Sequence, residues 1–147
     1  PENIIQGIAK IQSQSTTNTS SISQAAAEEA LNGTQNFIKI RSDAFKERRD
    51  FVVKKLNSIK GLSCKNPEGA FYVFPSCKDC IGKKDVNKKE IINDTDFVTS
   101  LLENTGVAVV QGSAFGKEGY FRISYATSLK NLSKALDKIE EYCKQLS

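Results

Sequence analysis

Apolar residues recur every three to four positions along three successive stretches of the chain, and that spacing predicts three helices. Ile4, Ile5, Ile8 and Ile11 mark the first, over residues 3 to 12. Nine consecutive polar residues, Gln12 to Ser20, then interrupt the pattern and predict a loop. Ser20 or Ser21 can cap a second helix carrying Ile22, Ala25, Ala26, Ala27 and Leu31, which Gly33 ends. Thr34 caps the longest element, in which Phe37, Ile40, Ala44, Phe51, Val52, Leu56 and Ile59 form one stripe up to a stop at Gly61. At about 1.5 Å per residue that helix is on the order of 40 Å long, a length that commonly bridges two lobes.

Beyond Gly61 the period changes. Ala70 to Phe74, set between Pro67 and Pro75, predicts a short buried strand, and Ser76 to Asn93 a lysine-rich loop. A capped helix from Thr95 to Asn104, the β-branched run Val107 to Val110, a turn from Gly112 to Gly119 and a strand from Tyr120 to Ala126 follow. Thr127 or Ser128 starts a last helix that buries Leu132, Ala135, Leu136, Ile139, Cys143 and Leu146. Three strands and two helices after residue 61 make a small two-layer α/β unit. The first sixty residues read as helices of something larger, and a chain that opens directly into helical periodicity is expected to be a segment of a longer protein.

Composition narrows the function classes. The chain has 147 residues, 39% hydrophobic and 26% charged, enough for one modest core. No apolar run reaches the roughly 18 residues that span a bilayer, and no basic-then-apolar leader opens the chain. The net charge of +4 is spread among acidic residues, as in Lys134, Asp137, Lys138, Glu140, Glu141 and Lys144, which marks a solvated helix face and argues against nucleic acid. The cysteines at 64, 77, 80 and 143 read as reduced thiols of a cytoplasmic protein. Cys77 and Cys80 have the spacing of a metal or redox pair, but they lie in a loop without histidine partners and read as incidental thiols. With no histidine in the chain, Ser-His and Cys-His mechanisms are closed, and no lysine sits in an apolar segment that would desolvate it. No metal ligands and no catalytic residue are expected.

One residue invites a binding role. Strand alternation sends Phe121, Ile123 and Tyr125 to one face and Arg122, Ser124 and Ala126 to the other, so Arg122 stands beside two small side chains. Its fork of donors matches a carboxylate bidentately. After Arg49 every other basic residue is lysine, fourteen in all, so solvation charge is delegated elsewhere. Pattern alone leaves two readings of Arg122 open, an internal pair with Asp or Glu and a ligand contact. Gly112 to Lys117 lacks the phosphate-loop spacing, having three residues between the glycines and Glu118 after the lysine; it reads as a turn feeding the Arg122 strand.

Pro67-Glu68-Gly69-Ala70-Phe71-Tyr72-Val73-Phe74-Pro75, Gly106-Val107-Ala108-Val109-Val110, Gly112-Ser113-Ala114-Phe115-Gly116 and Phe121-Arg122-Ile123-Ser124-Tyr125-Ala126 stand in one order and spacing. That series resembles the C-terminal half of bacterial aspartate aminotransferases of the fold-type I, pyridoxal-phosphate-dependent group. Gln12 to Thr17 and Ile22 to Ala26 are similar to the segment that follows the cofactor lysine there. The resemblance implies a cytoplasmic homodimer that uses pyridoxal 5'-phosphate to move an amino group between aspartate and 2-oxoglutarate. It implies that Arg122 clamps the substrate α-carboxylate and that Phe71 borders the substrate pocket. It also implies a division into large-domain helices over 1–33, a connecting helix over 34–60 and a small domain over 61–147. Prephenate or aromatic amino-acid aminotransferases share the clamp and are the alternative; a non-enzymatic α/β interaction module is the alternative of another class. Two departures stand out. Gln111 replaces the proline many such enzymes carry, and Ser133-Lys134 is the only Ser-Lys pair, without the G-x-R that follows the imine-forming lysine. No cofactor-binding residue is therefore expected in this chain, which by itself is expected to be inactive.

Overall fold

The computed structural model describes residues 1–15 and 18–147. They divide into two compact units, Pro1–Lys39 and Ile40–Ser147, with the division inside one long helix.

The first unit holds α1, Glu2–Ser15, and α2, Ser21–Asn32, neither of which buries a residue within the chain. The apolar stripe of α1 is exposed at Ile4, Ile5, Ile8 and Ile11. The helix runs past the point where the polar run was expected to end it, and two of its serines return their hydroxyls to its own backbone. Ser13 donates to Lys10 O at 2.9 Å and Ser15 to Ile11 O at 2.8 Å. Of the expected loop, Gln12 to Ser15 is helical, Asn18 to Ser20 is not, and Thr16 and Thr17 lie outside the described residues. Ser20 starts α2 through its carbonyl, which accepts from Gln24 N, while its side chain makes no cap bond. Gly33 ends α2 by its size: a Cβ there would lie 2.6 Å from Glu29 O.

The long helix, α3, spans Asn36–Ser58. It ends two residues before the expected residue 60, since Gly61 at φ +92° needs a tight turn before it. Val52 and Leu56 of α3, with Ile59 just beyond it, enter the core of the second unit.

That unit is built on a three-stranded antiparallel sheet of order β1-β3-β2, comprising β1 Tyr72–Val73, β2 Val110–Gln111 and β3 Phe121–Ser124. Tyr72 faces Ser124 and Val73 faces Ile123 on one side; Val110 faces Arg122 and Gln111 faces Phe121 on the other. Each strand is shorter than its sequence run. Ala70, at φ +61°, bends the chain before β1, and Val107 gives its N–H to Thr105 Oγ1 rather than to a neighbouring strand. Two helices cover the sheet: α4, Asp94–Thr105, capped by Asn93 accepting from Asp96 N, and α5, Leu129–Gln145, capped by Ser128 accepting from Asn131 N. Gly106, left-handed at φ +71°, stops α4.

Phe121, Val73 and Tyr125 turn inward as alternation requires, and meet Phe97 and Leu101 of α4 and Leu132, Leu136, Ile139 and Tyr142 of α5. Phe97 packs its ring 5.2 Å from Phe121 and 5.6 Å from Tyr142. The 76–93 loop is closely tied down. Asp85, buried, accepts from Ser100 Oγ, Asn87 N and Lys89 N, which hold its carboxyl below the ordinary range, and Lys84 exchanges two backbone bonds with Ser147. The observed architecture is the small two-layer α/β unit expected from the sequence. No helix among the described residues is long and apolar enough to cross a membrane.

Candidate functional site

The outer face of the sheet carries Arg122, the candidate ligand contact. Alternation places Tyr72 of β1 and Arg122 and Ser124 of β3 on this side, opposite the core residues Val73, Phe121 and Tyr125. The Gly112–Phe115 turn, a single 3-10 turn ended by left-handed Gly116, brings Phe115 over the same face.

Arg122 is half-buried, and its guanidinium carbon lies 4.4 Å from the Tyr72 ring centre and 4.3 Å from that of Phe115. The small neighbours Ser124 and Ala126 are exposed and were expected to leave the guanidinium open; in the structure aromatic rings cover it instead. A guanidinium stacked on rings keeps its in-plane N–H edge free, and that edge is where two parallel bonds to a carboxylate form. Among the described residues no carboxylate pairs with Arg122 and no acceptor takes its hydrogen bonds. By contrast, Arg49 is spent on Asp50 and on Pro67 O.

Phe71 is 43% exposed and packs its ring 4.3 Å from Tyr72, so Phe71 and Arg122 share one aromatic neighbour. It lines a cleft of about 480 Å³ with Ser42, Phe45, Lys46, Arg49 and Tyr125; Arg122 does not line it. The rim of this cleft is strained. Ala70, left-handed without being glycine, is held by its carbonyl accepting from Tyr125 Oη at 2.8 Å. A second cleft, about 530 Å³, is lined by Tyr72, Phe74, Tyr120, Lys65 and Lys117. There Phe74 stacks on Tyr120 and meets Phe115 edge-on, and Lys117 sits 4.2 Å over the Tyr120 ring.

Reading the sequence for sites missed Tyr72 and Phe115. The available signal for Tyr72 was its shared parity with Phe74 in β1, on the face opposite Val73; for Phe115 it was the small-residue turn leading into β3. Ser133-Lys134 lies on the exposed side of α5, and no lysine among the described residues is buried. A cofactor held as an imine needs a desolvated amine, so the residues described do not fit that group.

All four cysteines are free and buried. Burial pushes the Cys77 thiol up to about 12 and raises that of Cys64. No cluster of three or more His, Cys, Asp or Glu residues suited to a metal ion occurs among the described residues.

Residues 1–139 match the family model "Aminotransferase class I and II". The chain is 52% identical over its whole length to an aspartate aminotransferase of Rhizobium meliloti (strain 1021) and 50% identical to an aspartate/prephenate aminotransferase of Cereibacter sphaeroides, covering 36% and 37% of those proteins. Its structure superposes on the crystal structure of the Rhizobium meliloti aspartate aminotransferase with a TM-score of 0.88, covering 37% of that chain, and on an aromatic aminotransferase from Pyrococcus horikoshii at 35% identity with a TM-score of 0.75. The chain thus spans little more than a third of the length of the relatives it matches.

Proposed function

Because the chain belongs to the class I and II aminotransferases, we propose that it is the part of such an enzyme that grips the α-carboxylate of an amino-acid or 2-oxo-acid substrate through Arg122. The single observation carrying this is a half-buried guanidinium with two rings 4.4 and 4.3 Å from its central carbon and no acidic partner among the described residues. A charge held so rigidly, with its donor edge open, calls for a planar anion. Tyr72 and Phe115 fix the plane of the fork, and the substrate supplies the two oxygens. Phe71, which lines a neighbouring cleft, is proposed to border the substrate through its contact with Tyr72, the ring it shares with Arg122.

In this reading residues 1–33 belong with the large cofactor domain, 34–60 form the connecting helix and 61–147 the small domain. The exposed isoleucines of α1 support the first assignment, since a helix with such a stripe packs against something. The whole enzyme is proposed to be a cytoplasmic homodimer that exchanges amino groups between aspartate and 2-oxoglutarate. Its pyridoxal 5'-phosphate supplies the electron sink and is held by residues other than those described here. The chain taken alone is proposed to hold no cofactor and to move no amino group.

The test is Arg122→Lys and Arg122→Gln in the full-length enzyme. Lysine keeps the charge and loses the fork. Loss of a bidentate, charge-assisted pair removes ~2–4 kcal/mol, a fall of roughly 30- to 1000-fold in kcat/KM for aspartate. A fall under about threefold in both variants would sink the assignment. A second reading, prephenate as amino acceptor, rests on the aspartate/prephenate enzyme at 50% identity. It is separated from the first by comparing kcat/KM for prephenate and for 2-oxoglutarate in the same preparation.

A further inference from the structure

We propose, on the reading of Arg122 as the carboxylate clamp, that Tyr125 is its positioning residue: the Tyr125 hydroxyl holds Ala70 left-handed and so fixes where Phe71 and Tyr72 stand against Arg122. Ala70 has φ +61°, a conformation in which its Cβ crowds the following carbonyl oxygen. The residue is exposed, so no packing offsets that cost, and Gly69 before it has open space around its Cβ position. Such a conformation persists only where neighbouring groups impose it. Tyr125 supplies two of them. Its hydroxyl donates to Ala70 O at 2.8 Å, and its backbone N–H donates to Phe71 O at 2.9 Å. Upstream, the Arg49 guanidinium ties the same segment at Pro67 O, at 3.0 Å, and Glu68 and Gly69 between these ties are exposed.

Tyr125 is itself firmly held. It lies just past β3, is 2% exposed, and packs its ring 6.1 Å from that of Phe45 in α3. Burial pushes its phenol above the ordinary range, so the hydroxyl keeps its proton and stays a donor. From Ala70 the effect reaches the clamp through two ring contacts. Phe71 lies 4.3 Å from Tyr72, and the Tyr72 ring centre lies 4.4 Å from the guanidinium carbon of Arg122. Since β1 begins at Tyr72, the backbone leaving Ala70 sets where that ring enters the sheet. Without the hydroxyl, Ala70 favours other backbone conformations by roughly 5- to 30-fold, and the one that seats Tyr72 on Arg122 becomes the minor state. Apparent affinity for substrate falls with that population, whereas the chemistry of the bound state does not change.

The test is Tyr125→Phe in the full-length enzyme, made alone and in an Ala70→Gly background. Phenylalanine keeps the ring in the core, and glycine adopts the left-handed conformation without help. Tyr125→Phe should raise KM for aspartate roughly 5- to 30-fold with kcat held within about twofold, and in the Ala70→Gly background the same substitution should move KM by less than about twofold. A hydroxyl that only stabilised the core would show no such dependence on residue 70. Hydrogen exchange at the amide of residue 125, followed by mass spectrometry, reads the tie without reference to activity. It should quicken in Tyr125→Phe and not when Ala70→Gly is already present. A KM shift under about twofold, a loss confined to kcat, or an equal KM shift in both backgrounds would overturn the proposal. Unchanged exchange places the failure at the tie to Ala70. Quickened exchange with KM unmoved places it at the link to Arg122, and if Arg122→Lys also leaves KM unmoved, the clamp reading falls with it.

Discussion

Gly112 opens the turn that seats Phe115 on Arg122, and replacing it with alanine tests whether that turn is fixed by sterics. The added Cβ would lie 2.3 Å from Lys117 O, 2.7 Å from Tyr120 O and 2.9 Å from Tyr120 C. Ordinary non-bonded contact begins near 3.5 Å, so something must move by about 1 Å. Every obstructing atom is main chain, and both residues that supply them are tied to Gly112: its N–H donates to Tyr120 O at 2.7 Å, and Lys117 N–H donates to Gly112 O at 3.0 Å. Overpacking costs ~1–3 kcal/mol, and losing either bond adds ~0.5–1.5 kcal/mol. The expected destabilisation of Gly112→Ala is therefore about 3 kcal/mol. Gly116 supplies the comparison, because it is left-handed at φ +74° and has open space around its Cβ position. Alanine there meets only the left-handed penalty of ~1–2 kcal/mol. Urea unfolding followed by far-UV circular dichroism reads both. With slopes of ~1–3 kcal/mol per molar urea, the Gly112→Ala midpoint should fall by roughly 1–3 M, and that of Gly116→Ala by less. The reasoning fails if Gly112→Ala costs under about 0.5 kcal/mol or no more than Gly116→Ala.

Four other outcomes are expected. Tyr142→Phe should leave stability unchanged or raise it by up to ~1 kcal/mol in the same assay, because the buried hydroxyl has no hydrogen-bond partner among the described residues; a loss above that figure would reveal a hidden partner. Asn57→Ala should cost ~2 kcal/mol, since the Asn57 amide accepts from Cys64 N at 2.8 Å and donates to Cys64 O at 2.9 Å, and a neutral result would mean that water replaces both bonds. Hydrogen bonds from Lys144 and Lys55 hold the Glu140 carboxyl at about 2, against an ordinary 4.5. Its contribution is thus present above pH 4.5 and disappears as pH falls toward 2, so Glu140→Gln should lower the urea midpoint by a constant amount from pH 5 to 7, and the two profiles should converge as pH falls from 4.5 toward 2. In the full-length enzyme, Tyr72→Leu and Phe115→Leu should each raise KM for aspartate by roughly 2- to 30-fold with little change in kcat, since each ring contributes ~0.5–2 kcal/mol to holding the fork, and equal losses in kcat would argue against a positioning role.

The sequence by itself determined the element types and the division of faces on the sheet. A period near 3.6 and a period of two are local properties, and a side chain's parity along β3 follows from its residue number. Arg122 was therefore legible as the outward guanidinium and Phe121 and Tyr125 as core. So were the cap at Ser128 and the stop at Gly106, because each acts on its own helix. Tertiary structure decided what lies across from each residue. That Tyr72 and Phe115 cover the guanidinium depends on the β1-β3-β2 order and on a turn closing over it, and neither is encoded in the neighbours Ser124 and Ala126. For the same reason Cys80 meets Gly61, 19 positions away, its thiol donating to the Gly61 carbonyl at 3.5 Å. Hydrogen bonds and ring contacts form between atoms that chain folding brings together, and their partners are fixed only when the whole core has chosen one packing.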